Sequence, residues 1–446
     1  MDSNDEIRTG AIPAADGLGP RPSRVRWYGG ALVMLVCFIA YLDRIAFSVS
    51  ASPMMEALQI TPVQFGLVTT LFNIGYFISQ MPGGLLIQRA GPRRAMAVAL
   101  LAWSLCTGLT GIAGTVLVLG VVRFAFGVGE APVFTAGNAF IANWFPRREH
   151  GRANALMNAG AFLGPAIGPV MLVPFIQHFG WRAAFWLCAA LGVAVTALWY
   201  FAVRDRPEQH LLVNRVEARL IAENSGESSA RGPVPWAAFL RQRSFWTLAI
   251  AYFGTLWTVQ FFIYWLPYYL QKALHVPFAD VGTYTGIAFI CITVSVLVAG
   301  TVSDRLLRSG RTQYQSRNLV AVAGLAVACG SLLMSTTAHD VTMSVAWLSI
   351  ALGGAGFAQT LAWAVATEIG RSHTFAVASW MNAWGFVAAA IVPTLAPVIA
   401  GHFSWSSMIA VNAVATVLGI VAFLLTDTNK TLGSTSRASL QTQVLS

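Results

Sequence analysis

Four ionisable residues stand in stretches otherwise too apolar to meet water: Asp43, Arg44, Arg123 and Glu130. A charge at the centre of an inserted helix costs roughly 2.5–3.5 kcal/mol, so such residues face a cavity or pair with one another. Arg123, Gly127 and Glu130 follow i, i+4, i+7 and share one helix face. Asp43 and Arg44 are adjacent, so on a helix their side chains diverge by about 100° and can serve two sites. The types divide the work. Arginine keeps its proton and clamps a carboxylate through two N–H groups. A carboxyl group shut away from water can take up or release a proton near neutral pH. Arginine beside a protonatable carboxylate is the set that a proton-coupled anion carrier needs. The plainer alternative is an ion pair that only ties two helices together.

These residues need long apolar helices to hold them, and composition supplies them. The chain has 446 residues, 56% hydrophobic and only 10% charged, against roughly 25% charged in a soluble domain. That excludes an ordinary soluble protein and a disordered one. About 20 apolar residues cross a bilayer. Twelve runs qualify: 27–50, 62–87, 95–114, 117–142, 152–177, 183–203, 244–271, 281–303, 318–337, 341–366, 375–399 and 405–426. The expected fold is an all-α integral membrane protein of twelve transmembrane helices. A tail (1–26) precedes a six-helix bundle (27–203). A charged linker (204–243) with a surface helix over Asn214 to Asn224 leads to a second bundle (244–427) and a tail (428–446). No apolar core precedes Trp27, so the first span is expected to serve for insertion.

Charge placement sets the orientation. Of 28 Lys and Arg, Arg44 and Arg123 lie inside spans and Arg182 and Lys272 in outward loops; the other 24 fall in the termini and even-numbered loops. Both ends are therefore expected in the cytoplasm of a multi-pass inner-membrane protein. The net charge of +10 is accounted for without nucleic acid. The five cysteines lie in apolar runs without CxxC spacing, and no HExxH, GxSxG or phosphate-loop motif occurs. No metal, no cofactor and no enzymatic activity are expected, which sets aside a membrane enzyme or receptor.

The chain also repeats. Residues 157–181 and 381–405 align without a gap and are identical at ten of 25 positions, including Asn158/Asn382, Pro169/Pro393, His178/His402 and Trp181/Trp405. Gly84–Arg89 echoes Gly300–Arg305. Copies of the same orientation make two parallel six-helix repeats, with a substrate site at the midplane between them. Asn73, Tyr76 and Gln80 share one face of the second span, a cavity wall. Gln260 lies deep in the seventh span and is assigned to the cavity, whereas Trp265, Tyr268 and Tyr269 read as an interfacial aromatic belt.

At these residues the sequence resembles the major facilitator superfamily. Within it, the resemblance is to the anion:cation symporter family of bacterial galactonate, glucarate, hexuronate and phthalate carriers. The superfamily loop signature GxxxDRxGxRR is matched by Gly84 through Arg94, with Gln88 where Asp is usual. It implies gating roles for Arg89 and Arg93 and, in the second copy, Asp304 and Arg305. Tyr41-Leu42-Asp43-Arg44, the run Tyr76 to Gly84, Arg123 to Pro132 and Tyr264-Trp265-Leu266-Pro267 match the family's first, second, fourth and seventh spans. The resemblance implies that Asp43 and Glu130 exchange protons and that Tyr41, Arg44, Tyr76, Thr360, Trp363 and Asn382 contact the substrate; Arg123 and Gln260 join this set from their positions. The fifth span lacks the glutamine of the galactonate carriers, which leaves hexuronate-like and aromatic acids open. The expected function is proton-coupled import of a small organic anion, a sugar acid of the hexonate, hexuronate or aldarate kind, by a monomer in the bilayer. An aromatic carboxylate:proton symporter is the alternative, followed by a drug/proton antiporter of the same fold, against which the buried arginines argue.

Overall fold

The computed structural model describes residues 22–223 and 235–429. The tails beyond these limits and linker residues 224–234, including the last residue of the expected surface helix, lie outside the described residues. The described chain is helical: α1 (Val25–Val49), α2 (Ala51–Leu58), α3 (Pro62–Thr110), α4 (Val116–Glu130), α5 (Val133–Trp144), α6 (His150–Ala202), α7 (Arg215–Glu223), α8 (Trp236–Leu240), α9 (Arg243–Lys272), α10 (Phe278–Arg308), α11 (Leu319–Thr337), α12 (Val341–Gly370), α13 (Thr374–His402) and α14 (Trp405–Leu425). Among the described residues, nine helices are long and apolar enough to cross a membrane, or ten when α3, bent 114° from α2, is included.

Two of these are each a pair of crossings. α3 has 49 residues and α6 has 53, more than twice the about 20 that one crossing needs. Each reverses at a glycine in the left-handed region, Gly91 at φ 79° and Gly180 at φ 80°. A Cβ at Gly91 would meet the Asp205 carboxylate at 2.6 Å, and that carboxylate accepts the Arg93 N–H at 2.9 Å to cap the returning helix. With both pairs counted there are twelve crossings among the described residues. The fourth is interrupted where one helix over 117–142 is expected: α4 stops at Glu130 and α5 restarts at Val133, because Pro132 has no N–H to continue the ladder.

Local side-chain caps start a minority of the helices. Thr61 and Gln64 form a reciprocal capping box at α3, Asp340 caps α12 and Ser404 caps α14. α1 differs: Arg24 stands at φ 62° and its side chain caps nothing. The cap comes instead from the linker helix α7. Buried Glu217 accepts the N–H groups of Val25 and Arg26, the Ser23 hydroxyl and the Arg26 guanidinium. Arg26 in turn pairs with Glu149 after the fourth crossing. Burial pushes the Glu217 carboxyl up, but these hydrogen bonds outweigh it and hold it below the ordinary carboxylate range.

The two six-helix halves meet through α1 with α9, α3 with α13, and α6 with α10, and they meet tightly at one end. There Ser48 Oγ donates to the Tyr264 carbonyl at 3.0 Å and Thr70 Oγ1 to Ala390 O at 2.7 Å, and the Trp265 ring meets Phe65 edge-on at 5.8 Å. A Cβ on Gly66 would lie 2.1 Å from Pro393 O, and one on Gly282 2.5 Å from Pro169 O. Trp265 is buried between Phe65 of the first half and Trp405 of the second, and Tyr269 is buried against Trp405, which corrects their reading as an interfacial belt: Trp265 plugs the gap between halves and Tyr269 packs inside the second. At the other end, a Cβ on Gly84 or Gly300 would meet nothing within 4 Å, and Met81 is 84% exposed. The molecule is closed at the end of Gly66 and open at the end of α7.

Gly66→Val should keep the halves from meeting at the closed end. We expect transport to fall at least about tenfold and a cysteine placed at Ser50 to become reactive toward a membrane-impermeant thiol reagent. The depressed Glu217 carboxyl contributes stability in full above the ordinary carboxylate pKa of about 4.3, lost as pH falls through its lower folded value. Glu217→Gln should therefore flatten the acid limb of the melting-temperature profile and leave the pH 7–9 region parallel to wild type, read as detergent-solubilised melting curves.

Candidate functional site

α1 delivers Asp43 and Arg44 in opposite directions, as their adjacency requires. Asp43 turns into its own bundle, where Trp103 Nε1 and Thr107 Oγ1 donate to Oδ2 at 3.0 and 3.3 Å. Its Oδ1 is buried without a partner. Arg44 turns toward α4. Its Nε and Nη2 both reach Glu130 Oε1, at 2.9 and 2.7 Å. Glu130 Oε2 is left buried and unmatched. Among the described residues this is the ion pair at mid-depth; the others sit toward the open end.

Close helix approach makes that pair. A Cβ on Gly127 would lie 2.2 Å from Phe72 O, and one on Gly129 3.0 Å from the Trp103 backbone nitrogen. Glycine there lets α4 sit directly on α3, which brings Glu130 within reach of α1. Aromatic rings enclose the guanidinium: its Cζ lies 4.8, 5.0 and 5.1 Å from the ring centres of Tyr41, Phe72 and Tyr76. Such cation–π contacts strengthen as water is excluded. Phe386 of α13 stacks on Tyr76 at 5.0 Å, so both halves contribute to the enclosure.

Arg123 lies two turns before Glu130 on α4. Its Cζ sits 3.9 Å from the Phe47 ring centre, with Phe126 and Phe185 at 5.0 and 5.3 Å. Its Nε and Nη2 are buried without hydrogen-bond partners. A space of about 10 Å³, room for about one water, lies between the two arginines, bounded also by Phe47, Thr69, Phe72, Phe126 and Tyr264.

From the second half, the Tyr264 hydroxyl donates to Asn73 Oδ1 at 3.2 Å. Gln260 is buried with its Oε1 unmatched. Trp363 is 44% exposed, and its Nε1 donates to the Tyr252 hydroxyl at 3.2 Å. Thr360 Oγ1 bonds its own helix at Gly356 O. Asn382 is partly exposed, whereas its repeat mate Asn158 bonds Asn154 O on its own helix.

Residues expected to gate the molecule are bound within their own halves at the open end. The Arg93 guanidinium donates to Tyr200 O at 3.0 and 2.7 Å. Asp304 pairs with Arg317 at 2.8 Å, and Arg317 lies 3.8 Å from Glu368. Arg89 and Arg305 are exposed. Sequence reading missed Trp103, Thr107, Phe72 and Phe386. An aromatic or threonine in an apolar helix carries no signal that separates a partner of a charge from ordinary packing.

Removing one member of the buried pair should cost more than removing both. Glu130→Ala strands Arg44, and we expect a loss of about 3–5 kcal/mol, seen as a lower melting temperature in detergent. Arg44→Met with Glu130→Met should regain most of that stability while transport stays absent.

A family model described as Major Facilitator Superfamily matches residues 33–393. Among curated proteins, the chain is 29% identical over 388 residues to a probable L-galactonate transporter of Escherichia coli (strain K12), covering 85% of each. It is 30% identical over 373 residues to a probable sulfoacetate transporter of Cupriavidus necator, covering 83% of this chain and 85% of that one. It is 27% identical over 419 residues to a probable galactarate/D-glucarate transporter of Bacillus subtilis (strain 168), covering 89% and 91%. Among solved structures, an inward-facing, unoccupied bacterial homologue of the human lysosomal transporter Spinster superposes with a TM-score of 0.75 at 15% identity, covering 92% of this chain and 98% of that one. That likeness is one of fold.

Proposed function

We propose that this chain, which belongs to the Major Facilitator Superfamily, imports a small organic anion, a sugar acid, together with protons. One observation carries the reading: Arg44 spends both Nε and Nη2 on a single oxygen of Glu130, whose other oxygen has no partner. That edge of a guanidinium is the one that holds a carboxylate with two parallel bonds. Substrate and Glu130 therefore compete for it. A proton on Glu130 removes the competitor's charge, frees the arginine edge and offsets the charge of the incoming anion. When the proton leaves, Glu130 reclaims Arg44 and expels the cargo. Binding of anion and proton thus favour each other, which is coupling in the thermodynamic sense.

Asp43 serves as a second proton site on this reading. It sits one residue from the clamp but faces Trp103 and Thr107, so its charge acts on Arg44 and Arg123 through space. Tyr41, Tyr76, Gln260, Thr360, Trp363 and Asn382 line the path of the anion, with Arg123 as a fixed cation behind it. The bundles 27–203 and 244–427 rock as bodies about this site. With the positive-inside orientation, the open end faces the cytoplasm, both termini are cytoplasmic, and Arg89, Arg93, Asp304 and Arg305 meet across the halves when that end closes. The names of the relatives support an anionic cargo: galactonate, sulfoacetate, and galactarate or glucarate. A monomer suffices, since the site lies within one chain.

Glu130→Gln keeps the shape and removes the titration. In proteoliposomes loaded with an acid identified by a binding screen, we expect proton-driven accumulation to vanish while solute counterflow at equal concentrations persists. Normal accumulation by this variant would overturn the role of Glu130 and with it the coupling scheme.

A further inference from the structure

The charged machinery lies in the first half, yet unmatched polar atoms also lie in the second. On α9, Trp257, Gln260 and Tyr264 share a face at i, i+3, i+7. The Tyr264 end of that face is fixed by its hydroxyl on Asn73 and its place beside Arg44 and Arg123. The other faces of α9 are taken: Gly254 and Thr258 pack on α14, and Tyr252 lies against α12 and α13. Gln260 and Trp257 therefore continue the face of the clamp, about 6 and 10 Å further toward the open end. They are 6% and 7% exposed. Gln260 Oε1 and Trp257 Nε1 are buried and have no hydrogen-bond partner. On α12, packed against α9 in the same half, Gln359 Oε1 is likewise buried without a partner, one turn from Trp363 and beside the Tyr252 hydroxyl.

One donor and two acceptors thus stand unmatched on α9 and α12, further toward the open end than the arginine. A buried polar group left unmet loses its hydration with nothing in return. A hydrocarbon or aromatic tail supplies neither a donor nor a strong acceptor, so an anion carrying one leaves these groups unmet. Hydroxyl groups both donate and accept. Resting on the organic-anion reading above, we infer that Trp257 and Gln359, with Gln260 between them in role, are specificity-determining residues that read hydroxyl groups on the far end of an anion held by Arg44. They favour polyhydroxylated acids over deoxygenated or aromatic carboxylates of similar size.

Calorimetric binding to the purified full-length protein in nanodiscs tests this, with gluconate, galactonate and glucuronate set against hexanoate and benzoate. Wild type should prefer at least one hydroxylated acid over hexanoate by about a hundredfold or more. Trp257→Phe keeps the ring and removes the donor; Gln359→Leu removes the acceptor. Each should lower that preference about tenfold through weaker binding of the hydroxylated acid, with the melting temperature held near wild type. An unchanged preference in both variants overturns the assignment, as does a wild type that prefers hexanoate or benzoate; the organic-anion reading survives either result. A wild type that binds no carboxylate in the panel, and is indifferent to Arg44→Lys, brings down that reading and this inference together.

Discussion

The buried pairing of Arg44 with one oxygen of Glu130 is the interaction on which the rest of the molecule depends. Neither charge is cheap at membrane depth, and a buried ion pair seldom repays its desolvation beyond breaking even. In the proposed mechanism its value lies in exchangeability: a carboxylate that shares an arginine with the protein's own carboxylate is bound or released by a single proton, whereas an arginine in a purely apolar wall would hold an anion without a means to let go. The surrounding rings of Tyr41, Phe72 and Tyr76 keep water from screening the choice.

Small residues make this pair possible and also make it movable. Gly127 brings α4 onto α3 near the charges, and Gly66 and Gly282 let the halves touch backbone to backbone at the closed end. In a bilayer, association rests on close packing and on interhelical hydrogen bonds, since lipid offers no hydrophobic drive between helices. On the proposed rocking motion, a seal built from such contacts and from a few bonds, such as Ser48 to Tyr264 and Thr70 to Ala390, opens without exposing an apolar core to water. The open end is held differently. Its charged residues are satisfied inside each half, by Asp205 and Tyr200 around Arg93 and by Asp304 and Glu368 around Arg317. Neither set of partners depends on the two halves meeting there.

The linker adds a constraint that its polar composition conceals. A helix rich in charge reads as a solvated surface element, yet Glu217 is fully buried at the start of α1. It supplies the cap that Arg24 does not. The helix that carries both Asp43 and Arg44 is therefore anchored at its open-end terminus by a segment on the way to the other half.

The sequence by itself determined the crossings, the repeat and the charges, because hydropathy, periodicity and the rarity of ions in lipid are local properties. Twelve runs, the 224-residue echo and the divergence of Asp43 from Arg44 all follow from spacing. Spacing also put Arg123 and Glu130 on one face without saying which would hold Arg44. Only the tertiary structure decided that Arg44 takes Glu130, that Asp43 takes Trp103 and Thr107, and that Arg123 is left among phenylalanines. It also turned Trp265 from an expected membrane anchor into a plug between halves, against Phe65. Partner choice between helices depends on how closely their backbones approach and on which rotation each adopts. Both are set by packing across the whole bundle, which no single span encodes.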